Sequence, residues 1–236
     1  NLLDLNGDGH LDVHILYYAP NGVPDKVYLN DGHAAFTDSG LALNEETIAW
    51  GDLDGDVDVD YFGKRWNVGY VVMLNDGSGQ FSVGWQMDDS QSTLGGVALA
   101  DFDDDGDLDA LVANGFRDTG SFPSRLFWND GGVQGGTPGQ FTDSGQTLNP
   151  TLAAEVTASD LDSDGDLDAV IANMDLPNEV WLNDGQGRFT DSGLRLGEKS
   201  DMSTKSSIGD LDGDGDLDLF IGSLNGAPEI WLNTSR

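Results

Sequence analysis

Residues 210–218 read Asp-Leu-Asp-Gly-Asp-Gly-Asp-Leu-Asp, with carboxylates at alternate positions Asp210, Asp212 and Asp214, then Gly215, Asp216 and a closing Asp218. Close copies begin at Asp160, Asp101, Asp52 and Asp4, so that successive loops start 48, 49, 59 and 50 residues apart. A short acidic loop recurring at that interval marks a chain built from repeated supersecondary units.

Working outward from each loop, the same elements recur. A short apolar run precedes it (Thr47–Trp50, Val97–Ala100, Val156–Ser159, Ser206–Gly209), and a second follows it (Ala110–Ala113, Ala169–Ala172, Leu219–Gly222). A third run ends in Asn at 27–30, 72–75, 126–129, 180–183 and 230–233. Next comes an Asp-Gly turn, as at Asp184-Gly185, and a short fourth run such as Phe36–Ser39 or Phe189–Ser192. Asp-Gly between apolar runs signals a hairpin, because glycine supplies the positive φ the turn needs. Four short antiparallel strands per ~50 residues, without helical periodicity, make one propeller blade. The expected fold is therefore all-β: a single β-propeller domain over residues 1–236 with about five four-stranded blades. The repeats run roughly over 1–43, 44–93, 94–150, 151–200 and 201–236. The last blade lacks its outer strand, and an unpaired edge of that kind invites association. Trp128, Trp181 and Trp231 recur on the third strand and are expected to pack between blades.

The 43 acidic residues against 10 basic ones give a net charge of -33, yet 38% of residues are hydrophobic and periodic, which argues against disorder. More than half of the acidic residues fall in the five loops. Such a surface repels phosphates, so nucleic acid is not an expected partner. There is no cysteine, which excludes disulfides and thiolate metal sites, and no apolar run is long enough to span a membrane. With neither an initiator methionine nor a signal peptide, the sequence reads as a processed or excised piece.

The loop chemistry points to calcium, a hard cation that takes six to eight oxygen ligands. In the last loop Asp210, Asp212 and Asp214 can turn inward, Gly215 relieves the turn, Asp216 offers its carbonyl and Asp218 closes the site. Ligands of this type do not suit zinc.

With its D-x-D-x-D-G-x-x-D loops and Leu-Asn-Asp-Gly turns, the chain resembles the FG-GAP/VCBS repeats of integrin-like calcium-binding propellers over essentially its whole length. By position, the resemblance implies ligands Asp4, Asn6, Asp8, His10 (carbonyl) and Asp12 in the first loop. It implies Asp101, Asp103, Asp105, Asp107 (carbonyl) and Asp109 in the third, and Asp160, Asp162, Asp164, Asp166 (carbonyl) and Asp168 in the fourth. In the fifth it implies the set already derived for calcium. The second loop keeps Asp52, Asp54, Asp56, Asp58 and Asp60 but has Val57 at the glycine position, where a β-branched residue is penalised if φ is positive. That site is expected to bind more weakly or to be distorted, within a total of up to five calcium ions.

The acidic loops and the Asp-Gly turns fall on one face of a blade. Toward the other lie Lys64, Arg65, Trp66, Tyr70, Phe116 and Arg117, basic residues beside aromatic ones, a combination that suits a glycan or an acidic protein ligand. The three histidines have no counterparts between repeats, and calcium accounts for the carboxylate pairs, so no acid/base constellation is left for an enzyme. Asn233-Thr234-Ser235 fits a glycosylation acceptor. The resemblance implies recognition or adhesion outside the cell. A fibre subunit joined to copies of itself through the unfinished blade, and a targeting module of a larger secreted enzyme, are the competing expectations.

Overall fold

A computed structural model describes residues 1–16, 24–43, 45–65, 68–89, 95–117, 120–131, 135–148, 152–198 and 202–234. They form a five-bladed, all-β propeller, and no helix occurs among them. Blade 1 comprises β1 (Leu2–Leu3), β2 (Asp12–Ile15), β3 (Asp25–Asn30) and β4 (Phe36–Leu43); blade 2 comprises β5 (Glu45–Gly51), β6 (Asp60–Arg65), β7 (Gly69–Asn75) and β8 (Phe81–Asp88). In blade 3, β9 (Val97–Ala100) and β10 (Asp109–Val112) are separated from β13 (Arg125–Asn129) and β14 (Phe141–Thr147) by a hairpin of β11 (Phe116–Arg117) and β12 (Gly120–Ser121). This hairpin lies in one part of the surplus that makes the third repeat long; the other part is the glycine-rich stretch between β13 and β14. Blade 4 comprises β15 (Ala153–Ser159), β16 (Asp168–Asn173), β17 (Asn178–Leu182) and β18 (Thr190–Leu196). Blade 5 has three strands among the described residues: β19 (Ser203–Gly209), β20 (Asp218–Ser223) and β21 (Glu229–Trp231).

Every strand pairing is antiparallel, and each acidic loop joins the first two strands of its blade. The first strands of neighbouring blades run beside one another in the pairs β5–β9, β9–β15 and β15–β19. Second strands are covered on both sides, which is why β10 and β16 are buried along their whole length and read as unbroken apolar runs after the Asp. Burial is organised between blades rather than at one centre. Leu111 and Leu126 of blade 3 meet Ile171, Trp181 and Phe189 of blade 4, with Trp128 packed against them, as expected for the recurring tryptophans. Phe62 and Val72 of blade 2 meet Phe127 and Phe141 of blade 3, and Leu5 and Val27 of blade 1 meet Tyr61 and Phe81 of blade 2. Burying one such side chain contributes about 1.5–3 kcal/mol.

A polar latch repeats across the same interfaces. In blades 2 to 5 the Asn at the end of the third run donates its side-chain amide to a carbonyl in the acidic loop of the preceding blade: Asn75 to Leu5, Asn129 to Leu53, Asn183 to Phe102 and Asn233 to Leu161, all at 2.8–2.9 Å. A glycan on Asn233 would break the last of these.

Candidate metal centres and the opposite face

The five loops share one internal wiring. The first-position carboxylate accepts the N–H of position six at 2.8–3.2 Å, closing the turn from Asp4 to Gly9, Asp52 to Val57, Asp101 to Gly106, Asp160 to Gly165 and Asp210 to Gly215. The fifth-position carboxylate accepts the N–H of position seven at 2.9–3.1 Å. At position nine, Asp12, Asp60, Asp109, Asp168 and Asp218 are completely buried. One oxygen of each accepts the N–H of position two at 2.7–3.2 Å. The other accepts the N–H of the third-strand Asn at 2.8–2.9 Å. Position nine thus staples the acidic loop to the third strand, a structural role that ligand spacing alone does not reveal.

In four loops the carboxylates of positions one, three and nine converge, with ligand atoms within 4.8 Å of one another: Asp52, Asp54 and Asp60; Asp101, Asp103 and Asp109; Asp160, Asp162 and Asp168; Asp210, Asp212 and Asp218. These clusters can hold metal ions. Position five (Asp56, Asp105, Asp164, Asp214) stands outside the converging trio and accepts the N–H of position seven. The side chains of Asp58, Asp107 and Asp166 at position seven lie against the turn glycines of their own blade: a Cβ on Gly77, Gly131 or Gly185 would come within 2.5–2.6 Å of the carboxylate. In the first loop Asn6 replaces the third-position carboxylate and its amide donates to Asp8, so no carboxylate trio forms among Asp4, Asp8 and Asp12, and His10 packs its ring against Gly32.

Packing carboxylates this closely, away from water, disfavours their charged form. Burial pushes Asp109 up to about 8 and Asp60 up to about 6, against the pull of the backbone N–H groups they accept. Burial and the neighbouring Asp105 charge push Asp107 up to about 7. Asp54, Asp162, Asp168 and Asp212 are raised for the same principal reason. Both carboxylate oxygens of Asp107, and Oδ1 of Asp160, are buried without a hydrogen-bond partner among the described residues. An all-oxygen donor set, short of counter-charge and with buried lone pairs, fits a hard divalent cation and is compatible with calcium.

Val57 adopts φ +83°, in the left-handed region where Gly9 stands at +85°. The loop therefore holds its shape against the side chain, and Asp52, Asp54 and Asp60 still converge. The expected penalty is present as backbone strain, while the carboxylate geometry is kept.

The opposite face differs from its expected form. Lys64 is buried, its Nζ donating to the carbonyl of Asp89 at 2.6 Å and lying 4.6 Å from the centre of the Tyr70 ring. Tyr70 is itself fully buried, donating to Asn114 at 2.9 Å. Arg65 pairs with Glu45 at 2.5 Å, and Arg125 pairs with Asp89 and Asp143. In a chain this acidic each of these cations is drawn to a carboxylate or carbonyl; Lys64 and Tyr70 are buried, whereas the Arg65 side chain stays 32% exposed. Trp66 and the side chains of Phe116 and Arg117 lie outside the described residues; the backbone of Phe116–Arg117 forms β11 of the blade 3 hairpin.

Residues 160–221 match the model of the FG-GAP-like repeat, consistent with the resemblance read from the loops. Among solved structures the chain is similar to an Agrocybe aegerita lectin described as specifically recognising non-reducing terminal N-acetylglucosamine. The identity is 19% and the TM-score 0.60, over 100% of this chain and 63% of the lectin. It is also similar to the V. cholerae biofilm matrix protein Bap1, at 18% identity and a TM-score of 0.49, over 92% of this chain and 33% of that protein. The chain thus spans less than two thirds of either. No curated protein matches it. Likeness at these identities concerns the fold, and no helix of the described residues is long and apolar enough to cross a membrane.

Proposed function

We propose that this chain is a calcium-stabilised, non-catalytic propeller that recognises a glycan or protein ligand outside the cell. The observation that carries the calcium reading is the convergence of three carboxylates in each of four loops, with Asp109 and Asp107 pushed toward or above neutrality in the absence of a cation. In loops 2 to 5 the carboxylates of positions one, three and nine would hold the ion, and the ion would supply the counter-charge that lets them stay ionised. Extracellular calcium modules bind at about 10⁻⁴–10⁻³ M, which suits the outside of a cell. Likeness of fold to a lectin supports recognition and makes N-acetylglucosamine-terminated glycans the first probe.

Two measurements test this reading. Calorimetric titration of the metal-free chain with calcium is expected to show about four sites, and heats no larger than those with magnesium would count against it. Glycan-array binding in calcium is expected to show a hit that weakens when the hairpin of β11 and β12 is replaced by a Gly-Ser link. An array without hits moves the ligand class from glycan to protein.

A second reading, a fibre subunit, draws on the exposed apolar sides of the end blades: Leu2, Leu11 and Leu16 of blade 1, and Leu211, Phe220 and Ile230 of blade 5. Sedimentation in calcium that stays monomeric at high concentration would remove it.

A further inference from the structure

The carboxylate that closes each metal centre is tied to the next blade by a repeated set of hydrogen bonds. In loop 3 the buried Asp109 accepts the Phe102 N–H at 3.2 Å. The carbonyl of the same Phe102 accepts the side-chain amide of Asn183, from blade 4, at 2.9 Å. The Asn183 N–H then donates to Asp168, the closing carboxylate of loop 4, at 2.9 Å. The interface before it is built alike. Asp60 accepts the Leu53 N–H, the Leu53 carbonyl accepts the Asn129 amide, and the Asn129 N–H donates to Asp109, each at 2.9 Å. Asp60, Asp109 and Asp168 are therefore joined in series, and every side chain in the series, Asn129 and Asn183 included, is buried. The two amides are also held in one orientation. The Oδ1 of Asn129 accepts the Gly139 N–H at 3.0 Å, and that of Asn183 accepts the Asp184 N–H at 2.9 Å.

We propose that this asparagine is a positioning residue shared by two metal centres, through which the centres of neighbouring blades bind their cations with positive cooperativity. The inference rests on the metal reading given above and adds a coupling between the sites. Asp168, once held by a cation, fixes the Asn183 N–H, and with it the amide that grips the Phe102 carbonyl. The Phe102 N–H is then already aimed at Asp109, and loop 3 has less left to order when its own carboxylates close. A peptide whose N–H is bound to a carboxylate is also the better acceptor at its carbonyl, so the bonds of the series reinforce one another. Coupling of this kind is reciprocal, and filling loop 3 favours loop 4 to the same degree. Charge alone gives the opposite sign, because a first bound cation repels a second. The direction of the effect is therefore diagnostic.

Hydrogen-exchange mass spectrometry of the full chain along a calcium titration reads the two loops separately, through segments 101–109 and 160–168. Asp162→Asn removes one carboxylate from the loop 4 trio, leaves the series intact and keeps an oxygen for the Asp164 N–H. It is expected to raise the calcium midpoint of loop 3 as well as that of loop 4, the former by at least about 5-fold. Asn183→Ala deletes the amide bonds and keeps the backbone N–H on Asp168. In that background D162N should leave the loop 3 midpoint within about 2-fold. Should N183A not fold, Asn129→Ala with Asp103→Asn, read at segment 52–60, makes the same comparison for loops 2 and 3. A loop 3 midpoint that D162N leaves unchanged or lowers, or a shift that survives in N183A, would overturn the proposal and leave calcium binding standing. No calcium-dependent protection in any loop of the parent would remove the calcium reading, and the coupling with it.

Discussion

Blades 3 and 5 carry nearly the same loop and differ in what stands beside them. Blade 3 is covered on both sides, and Leu111 is fully buried; its counterpart Phe220, on the outer side of blade 5, is 40% exposed. Asp109 and Asp218 accept the same two backbone N–H groups in the same positions. Burial nevertheless pushes Asp109 up to about 8, while the N–H groups of Leu211 and Asn233 hold Asp218 below the usual carboxylate range. A repeat fixes the shape of its loop, whereas the neighbouring blade sets its electrostatics. Covered loops therefore gain most from a cation.

The largest expected effect comes from removing that cation. At ten times its dissociation constant each calcium adds roughly 1.4 kcal/mol, so four sites contribute about 5–6 kcal/mol, comparable to the stability of an ordinary domain. Chelation should lower the Tm by about 10–20 °C; an unchanged melt in EDTA would sink the calcium reading. The pH dependence of the metal-free chain has a definite sign. Asp60, Asp107 and Asp109 have raised pKa values, so the folded state binds more protons than the unfolded one between about pH 4 and 8. Their contribution is complete below the ordinary carboxylate pKa and is lost as pH rises through about 6, 7 and 8 in turn. Metal-free melts should thus fall from pH 5 to pH 8, and saturating calcium, which competes with these protons, should remove the decline.

Next in size is the staple at position nine. Asp109→Ala leaves two buried N–H groups, those of Phe102 and Asn129, without acceptors, at a cost of about 3–5 kcal/mol. Asp218→Ala exposes the same groups at an uncovered blade, where water can reach them, and should cost about 1–2 kcal/mol. Equal losses in urea melts of the two metal-free variants would break the distinction between covered and open blades. The latch offers a smaller version of the contrast. Asn183→Ala deletes a buried bond to Phe102 of the preceding blade and should cost about 1–3 kcal/mol, whereas among the described residues the Asn30 amide donates to Leu11 of its own blade, at an exposed position. Asn30→Ala should fall within about 0.5 kcal/mol of the parent.

The repeat, the four-strand unit and the packing of Trp128 and Trp181 between blades were legible in the sequence, because each is a local pattern copied about every fifty residues; Trp231, expected to pack likewise, is 38% exposed. What crosses between copies was not. The Asn at the end of the third strand is conspicuous in every repeat, but nothing in its spacing says that its amide reaches a carbonyl 70 or more residues earlier. Ligand spacing likewise predicts positions one, three, five and nine as equals, although position five is held by the N–H of position seven and position nine is also a staple. Lys64 and Tyr70 fell in a loop-adjacent stretch that reads as surface; their burial depends on Asp89 and Asn114, contributed by other strands and loops.

Val57 separates the loop's own cost from the effect of its neighbours, because blade 2 is covered like blade 3 and, among the five carboxylate positions and the turn glycine, only the sixth residue departs from the pattern. The side chain is 85% exposed, so replacing it forfeits little packing. Holding a β-branched residue at φ +83° costs about 1–3 kcal/mol, and a glycine there would relieve it. Against this, glycine gives the unfolded chain more freedom, a loss of roughly 0.5–1 kcal/mol. Val57→Gly should therefore stabilise the protein by up to about 2 kcal/mol net, and the gain should persist in EDTA, because the strain belongs to the backbone and not to the metal. If the gain appears only with calcium present, the strain is instead imposed when the carboxylates close on the ion, and calorimetry would then show one weak site in the parent that strengthens in the variant. A lower Tm for V57G under both conditions would mean that the valine side chain is stabilising, and that loop 2 is not a strained copy of the others.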